Sequence, residues 1–336
     1  MPRCLITGAT GFVGSNLAKH VGQLGWDMRC LVRPSSDTSR LDNKAVTLVT
    51  ASLETGEGLQ AAVENVDYVF HVAGRTTALQ PAEFDATNVA GAKHLAEACA
   101  QQTSPPTLVM VSSLAAGGPG TFEQPRREGD LDQPVSDYGR SKLSGEKAAS
   151  KFAEDVPLSI IRPPIIFGPG DHAGLSLYKT ISTMRIHLRP GFRKFPVSLV
   201  HVNDLCQAMT TIAQRGERVQ ASDNSGRAAG TYYVAAERAL PYAELGRVAG
   251  AAAGWATLAL PFPPAGFWIA GAIGELFGHA RRRACLLNFD KIREALSVGW
   301  VCSDEKIRQQ LGYQPAATLE ERFSETVAWY RQQGWL

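Results

Sequence analysis

The stretch PVSDYGRSKLSGEKAASKF (134–152) sets Tyr138 four residues ahead of Lys142, on what reads as the first turns of a helix. At that spacing the two side chains share one helix face. A phenol beside an ammonium is a proton-transfer pair if a substrate oxygen reaches it, and solvated surface if none does. The pair alone does not separate the two. A second piece of chemistry opens the chain, where LITGATGFVGSNLAKHV places Gly8, Gly11 and Gly14 after a strand-like run and at the mouth of a helix. Gly8 permits a tight turn, Gly11 lets the backbone approach a pyrophosphate, and Gly14 allows close helix–strand packing. Phe12 and Val13 lie between them, at the start of a helix whose free N–H groups and positive potential suit a phosphate.

The second strand bears on which nicotinamide cofactor is held. An enzyme preferring NAD usually ends this strand with an acid on the ribose 2′-hydroxyl. Here MRCLVRPSSDTSR ends it in Arg33, followed by Ser35 and Ser36, while Asp27 precedes the strand and points away from the ribose. A guanidinium with hydroxyls suits a 2′-phosphate. NADP is therefore the expected cofactor, with NAD as the alternative.

These groups need a frame to hold them. Runs at 3–8, 28–33, 46–51, 66–74, 107–113 and 158–164 are apolar enough to be strands covered on both faces. Helix candidates at 12–24, 56–64, 84–102 and 138–154 separate them. The alternation implies an α/β fold, a Rossmann-type doubly wound parallel sheet. After residue 168 proline and glycine become frequent and helices dominate, as in a smaller, mostly helical C-terminal substrate lobe. The expected division is a nucleotide-binding domain over 1–167, with 198–234 returning to it, and a substrate-binding lobe over 168–197 and 235–336. Asp204, in the returning segment, reads as a helix N-cap.

Composition narrows the classes. The chain has 336 residues, is 44% hydrophobic and can bury a large core. A net charge of +2 gives no general case for nucleic acid, and the run at 281–283 reads as a solvated helix end. Six scattered cysteines lack metal-ligand spacing and read as reduced, buried thiols of a cytoplasmic protein. No metal site is expected. MPRCLITGATG runs straight into a strand, which reads as a chain without a signal peptide. From Val248 to Gly274 no residue is charged, but Pro261, Pro263 and Pro264 should break this stretch into two helices of about 13 residues or fewer. It reads as an internal or substrate-covering helix pair, with peripheral membrane contact as the lesser alternative and a transmembrane helix disfavoured.

The chain resembles the extended short-chain dehydrogenase/reductase superfamily, also called the NAD-dependent epimerase/dehydratase family. The resemblance rests on TGATGFVG (7–14), HVAG (71–74), NVAGAKHL (88–95), VMVSS (109–113), YGRSK (138–142), IRPPIIFGPGD (161–171) and VHVNDL (200–205), in order over nearly the whole length. SSLAAGGPG and VRPSSDTSRL look most like the branch of 3β-hydroxysteroid dehydrogenases and dihydroflavonol reductases. The resemblance implies a catalytic triad of Ser113, Tyr138 and Lys142. It implies that Ala73 and Gly74 pass beside the cofactor's phosphate and ribose, that Asn88 supports the central strands, and that Pro163 and Ile166 line the nicotinamide side. Where the family often carries an acid toward the adenine, Ser52 and Leu53 stand here. A homodimer packed through helices near 88–102 and 138–154 is implied as well.

The expected activity is NADP-dependent reduction of a ketone or aldehyde, or the reverse alcohol oxidation, on a partly hydrophobic carbonyl substrate. Tyr138 would give the proton, its pKa pulled from about 10 toward neutrality by Lys142, which corresponds to about 4 kcal/mol of preferential stabilisation of the phenolate. Ser113 would donate to the substrate oxygen, with Ser112 on the opposite side of the strand. Arg140, Ser141 and Lys147 read as solvated. The alternative is a nucleotide-sugar epimerase or dehydratase with tightly bound NAD, for which Arg189 and Arg193 would hold an anionic substrate; otherwise they are surface cations. A nucleotide-binding protein without catalysis is a third reading, opposed by the intact Ser113, Tyr138 and Lys142.

Overall fold

The computed structural model describes residues 1–41, 46–220, 228–281, 284–285 and 288–336. The apolar runs form strands β1 (Arg3–Thr7), β2 (Asp27–Val32), β3 (Thr47–Thr50), β4 (Tyr68–His71), β5 (Thr107–Val111) and β6 (Leu158–Arg162). Short strands follow: β7 (Ile165–Phe167), β8 (Ile186–Pro190), β9 (Pro196–Val197), β10 (Leu199–His201) and β11 (Thr231–Tyr233). The main sheet has the order β3-β2-β1-β4-β5-β6-β11, and every neighbouring pair is parallel. Connections leave β1 toward one edge and β4 toward the other, so a crevice opens between the carboxyl ends of β1 and β4.

Alternation along each strand fills two cores. Ile6, Cys30, Phe70, Val109 and Ile161 face Leu17 and Val21 of α1 (Phe12–Gln23). Leu5, Leu31, Val69, Leu108 and Ile160 face the opposite side. There they meet Leu59 of α2 (Leu59–Val63) and, beyond α3 (Pro81–Phe84), Leu95 of α4 (Gly91–Ala100). The helix expected over 84–102 thus starts earlier, at Pro81, and widens into a π-helical turn at Asp85–Ala90 before α4. That turn holds Asn88, whose amide donates to Arg75 O (3.0 Å) and Ser141 Oγ (2.9 Å) and accepts from Arg75 N (2.8 Å). Ser141 is therefore buried rather than solvated; Arg140 and Lys147 are exposed.

After α5 (Leu114–Gly117) and α6 (Asp137–Ser150), α7 (His172–Met184) begins the helical lobe. Helix α8 (Val202–Arg215) then returns to the sheet, burying Leu205, Met209 and Ile212 against α1. Its N-cap is His201, not Asp204. Asp204 is three residues further in and 2% exposed, where it pairs with Arg322 (3.1 Å) of a later helix and accepts from Ala316 N (3.2 Å). Its charge is used to tie the C-terminus down, which local sequence does not reveal.

The lobe continues with β12 (Leu240–Pro241), α9 (Tyr242–Ala252), β13 (Leu258–Phe262), α10 (Pro264–Arg281), α11 (Phe289–Ala295), α12 (Glu305–Leu311) and α13 (Leu319–Gln332). Strand β13 pairs with β8, so the uncharged 248–274 stretch holds helix, strand and helix, and α10 is 18 residues long rather than 13. The stretch is divided as expected, α9 ending at Ala252 and α10 starting at Pro264, where a missing N–H is unneeded; α10 gains its length by running past Gly274 to Arg281. No helix among the described residues is long and apolar enough to cross a membrane. One side of α10 reaches inward at Phe267, while Ile269, Ile273, Leu276 and Phe277 are exposed. Arg281 ends α10 and is exposed; residues 282–283 of the basic run lie outside the described residues. Five of the cysteines are buried and Cys285 is half-buried, all as free thiols.

Candidate active site

The turn after β1 is shaped by glycine. Gly8 has φ +68°, and a Cβ there would lie 2.7 Å from Ala73 N. A Cβ on Gly14 would lie 2.1 Å from the Gly8 carbonyl oxygen. Gly11 N donates to Gly8 O at 3.0 Å and closes the turn. Gly11 is also the N-cap of α1, and no side chain satisfies the first amides of that helix. Uncapped amides at a helix N-terminus make an anion site.

In front of them lies a cavity of about 500 Å³. Its lining includes Gly8, Gly11, Phe12, Val13 and Gly14, then Arg33 and Ser36 after β2, Ser52 and Leu53 after β3, and Ala73 and Gly74 after β4. Arg33 N donates to Ser36 Oγ (2.9 Å), so the two are held as one turn at the end of β2. Asp27 points elsewhere, onto Arg3 (2.7 Å). The shape and the free amides fit the adenosine–pyrophosphate part of a dinucleotide. Glu54 and Thr87, hydrogen-bonded to each other at 3.3 Å, also line the cavity. The acid missing from positions 52 and 53 is thus present one residue later.

Helix α6 carries Tyr138 and Lys142. It starts where it does because Ser136 Oγ accepts from Gly139 N (2.9 Å). Glycine then lets it approach its neighbours: a Cβ on Gly139 would lie 2.5 Å from Ala115 O, and one on Gly145 2.2 Å from Asn88 O. The approach sets Tyr138 beside Ser113, the N-cap of α5. Arg162 locks the far side of α6 to the sheet through Glu146 (2.9 and 2.6 Å) and Asp132 (2.6 Å).

Lys142 is 4% exposed, and its ammonium donates to Val111 O (2.7 Å), near the place a Gly74 Cβ would occupy (3.4 Å). Burial pulls its pKa down to about 8, with Glu146 opposing. The phenol of Tyr138 is raised above its ordinary value, not lowered, because burial outweighs Lys291 and the Ser113 hydroxyl; Glu294 adds to the rise. The cation over the Tyr138 ring is Lys291 of α11, 4.4 Å from the centroid.

Ser113, Tyr138 and Pro163 line a second cavity of about 520 Å³. Leu188, Phe195, Tyr242, Phe267 and Trp300 form much of its apolar wall, and Lys291 and Glu294 are its charged members among the described residues. Ile166 is not brought here. It lines a further cavity of about 510 Å³ beyond Ile165, its neighbour that borders both. Arg189, Arg193 and Lys194 line neither the cofactor crevice nor the Tyr138 cavity. Ser112, 4% exposed, has no hydrogen-bond partner for its hydroxyl. Among the described residues no group of acids, histidines and cysteines is placed to hold a metal ion.

Residue reasoning missed Lys291, Asp290 and Glu294. They stand about 150 residues from Tyr138 on a short polar helix, and only a three-dimensional contact marks them.

Residues 4–225 match the model of the NAD dependent epimerase/dehydratase family. The chain is 28% identical to a ceramide reductase of Caulobacter vibrioides over 331 residues, covering 98% of this chain and 95% of that protein. It is 26% identical to a UDP-glucose 4-epimerase of Vibrio cholerae over 343 residues, covering 99% and 97%. Among solved structures, the UDP-glucose 4-epimerase of Thermotoga maritima with UDP-glucose superposes with a TM-score of 0.75 at 19% identity, covering 98% of this chain and 99% of that one. With seven parallel strands, a glycine turn open to phosphate and a family match across residues 4–225, the chain belongs to the NAD-dependent epimerase/dehydratase family and is an NAD(P)-dependent oxidoreductase of the extended short-chain dehydrogenase/reductase type.

Proposed function

We propose that the protein reduces a ketone or aldehyde on a largely apolar substrate with NADPH, or runs the reverse oxidation. The observation that carries this reading is the wall around Tyr138. Leucine, phenylalanine, proline and tryptophan side chains surround the hydroxyls of Ser113 and Tyr138. Such a wall favours an apolar carbonyl compound, and its one cation among the described residues, Lys291, is already paired with Glu294 at 2.8 Å. The likeness to a ceramide reductase supports the same direction.

In this reading Arg33 and Ser36 bind the 2′-phosphate, and the amides at the start of α1 hold the pyrophosphate. When bound, the nicotinamide supplies hydride to the substrate carbon. Ser113 Oγ donates a hydrogen bond to the substrate oxygen and holds it toward Tyr138. The Tyr138 O–H bond then breaks, its proton passes to that oxygen, and a phenolate remains. Lys142, at the floor of the crevice near Gly74, places a cation beside the cofactor ribose.

The competing reading, a nucleotide-sugar epimerase or dehydratase, draws on the Vibrio relative. Arg189 and Arg193, the cations it would recruit, stay outside both cavities. Fluorescence titration with NADPH and NADH, followed by stopped-flow assay with apolar ketones and with UDP-glucose, decides between them. Oxidation of NADPH by ketones is the expected result; turnover of UDP-glucose with no oxidation by any ketone rejects it.

A further inference from the structure

The phenol of Tyr138 has a cation on it that the helix bearing the phenol does not supply. Lys142 is turned into the sheet, its ammonium on Val111 O. Lys291 instead lies over the ring, 4.4 Å from its centroid, in the wall of the same cavity. Its helix is fastened to α6 at three points. The Asp290 carboxylate accepts from Asp137 N (2.6 Å) and from Tyr138 N (3.0 Å), and Ser136 Oγ donates to Glu294 (2.6 Å). Other contacts hold α11 itself: Asn288 caps it by accepting from Lys291 N (2.9 Å), and Trp300 Nε1 donates to Glu294 O (2.9 Å). Gly271 lets α10 lie against it, since a Cβ there would be 2.9 Å from Ile292.

We propose that Lys291 is a positioning residue of the reaction, its ammonium favouring the phenolate of Tyr138 while Asp290 and Glu294 hold the lysine and the tyrosine in register. The proposal rests on the reading of Tyr138 as the proton donor. A lysine that served only to pair with Glu294 three residues on has no need to cover an aromatic ring. Here the ammonium touches both, in a half-buried place where a charge acts through less water than at the surface. Glu294, Tyr138 and Asp290 together outweigh burial and keep Lys291 protonated above the ordinary lysine range.

The other groups around the phenol do not supply the charge. From α6 come Asp137, paired with Arg140 (2.5 Å) and near Arg293 (3.8 Å), and Lys142, bonded elsewhere. From α11 come Asp290, engaged with backbone amides, and Arg293, 3.7 Å from Asp290. The start of α5 offers the neutral Ser113 hydroxyl, and α3 offers the ring of Phe84 at 6.1 Å. Within this set Lys291 lowers the proton affinity of the phenol and Glu294 raises it.

The opposite signs give the test: the pH profile of kcat/KM for alcohol oxidation, which needs the phenolate and falls on the acid side of its pKa. In Lys291→Met this limb moves up by about one pH unit. In Glu294→Gln, whose amide oxygen still accepts from Ser136, it moves down; Lys291→Arg restores the original position. Both limbs unmoved, with activity lost equally in folded protein, would overturn the proposal. Should Lys291→Met fail to fold, the downward shift in Glu294→Gln carries the test alone, and an unmoved limb there overturns it. Tyr138→Phe run in parallel separates the two readings: full turnover there removes the proton donor itself, whatever Lys291 does.

Discussion

Helix α6 carries Tyr138 in the wall of one cavity and Lys142 close to Gly74 of the cofactor crevice, and the two regions are made of different materials. The crevice is backbone: a turn at Gly8, uncapped amides at the start of α1, and Gly14 packed so tightly that no side chain fits. The cavity is side chain, gathered from α5, α6, β8, α9, α10 and α11. A backbone site has little freedom to change and is written in one short run of residues. A side-chain site can be re-lined without altering the fold, so one fold can serve substrates as different as those its relatives' names describe.

The largest effect expected from this contrast is at Gly14. In Gly14→Val the new side chain meets the Gly8 carbonyl, the turn must open, and α1 leaves the sheet. Titration with NADPH should show no binding. Tyr138→Phe should act oppositely, removing roughly 10²- to 10⁴-fold of turnover while NADPH titrates as before. Equal loss of cofactor binding in both variants would break the distinction between the two regions. Arg162→Met probes the joint between them. It leaves Glu146 buried without its partner, and should cost about 3–5 kcal/mol in a urea unfolding curve.

The contrast also explains what the sequence disclosed. Gly8, Gly11 and Gly14 show themselves by spacing alone, because the turn needs those residues in that order. The sheet was legible because a parallel strand covered on both faces is apolar throughout. Ser141 was misjudged because a serine on a charged helix looks solvated until Asn88 is found against it. Asp204 has the type and place of a cap, and only the distant Arg322 shows its use. The length of α10 was missed because the uncharged stretch ends at Gly274 while the helix continues through charged residues to Arg281. Lys291 and Asp290 left no local trace at all. What sequence hides here is the contact between remote side chains, which is the material of the substrate cavity.

Arg33 gives the smallest effect and sharpens the comparison from the crevice side. It is a part of that region built from a side chain, so it should be replaceable without loss of the cradle. The guanidinium is exposed, and a charge-assisted bond to a 2′-phosphate there falls at the low end of about 1.5–3 kcal/mol. Arg33→Ala should therefore weaken NADPH roughly tenfold in fluorescence titration and leave NADH almost unchanged, since the pyrophosphate amides are untouched. Added salt should narrow the gap between wild type and variant for NADPH, because the bond it removes is the screened one. Equal weakening of both cofactors would take NADP preference away from the Arg33 side chain, because the bonds between Arg33 and Ser36 use the Arg33 backbone and survive in alanine.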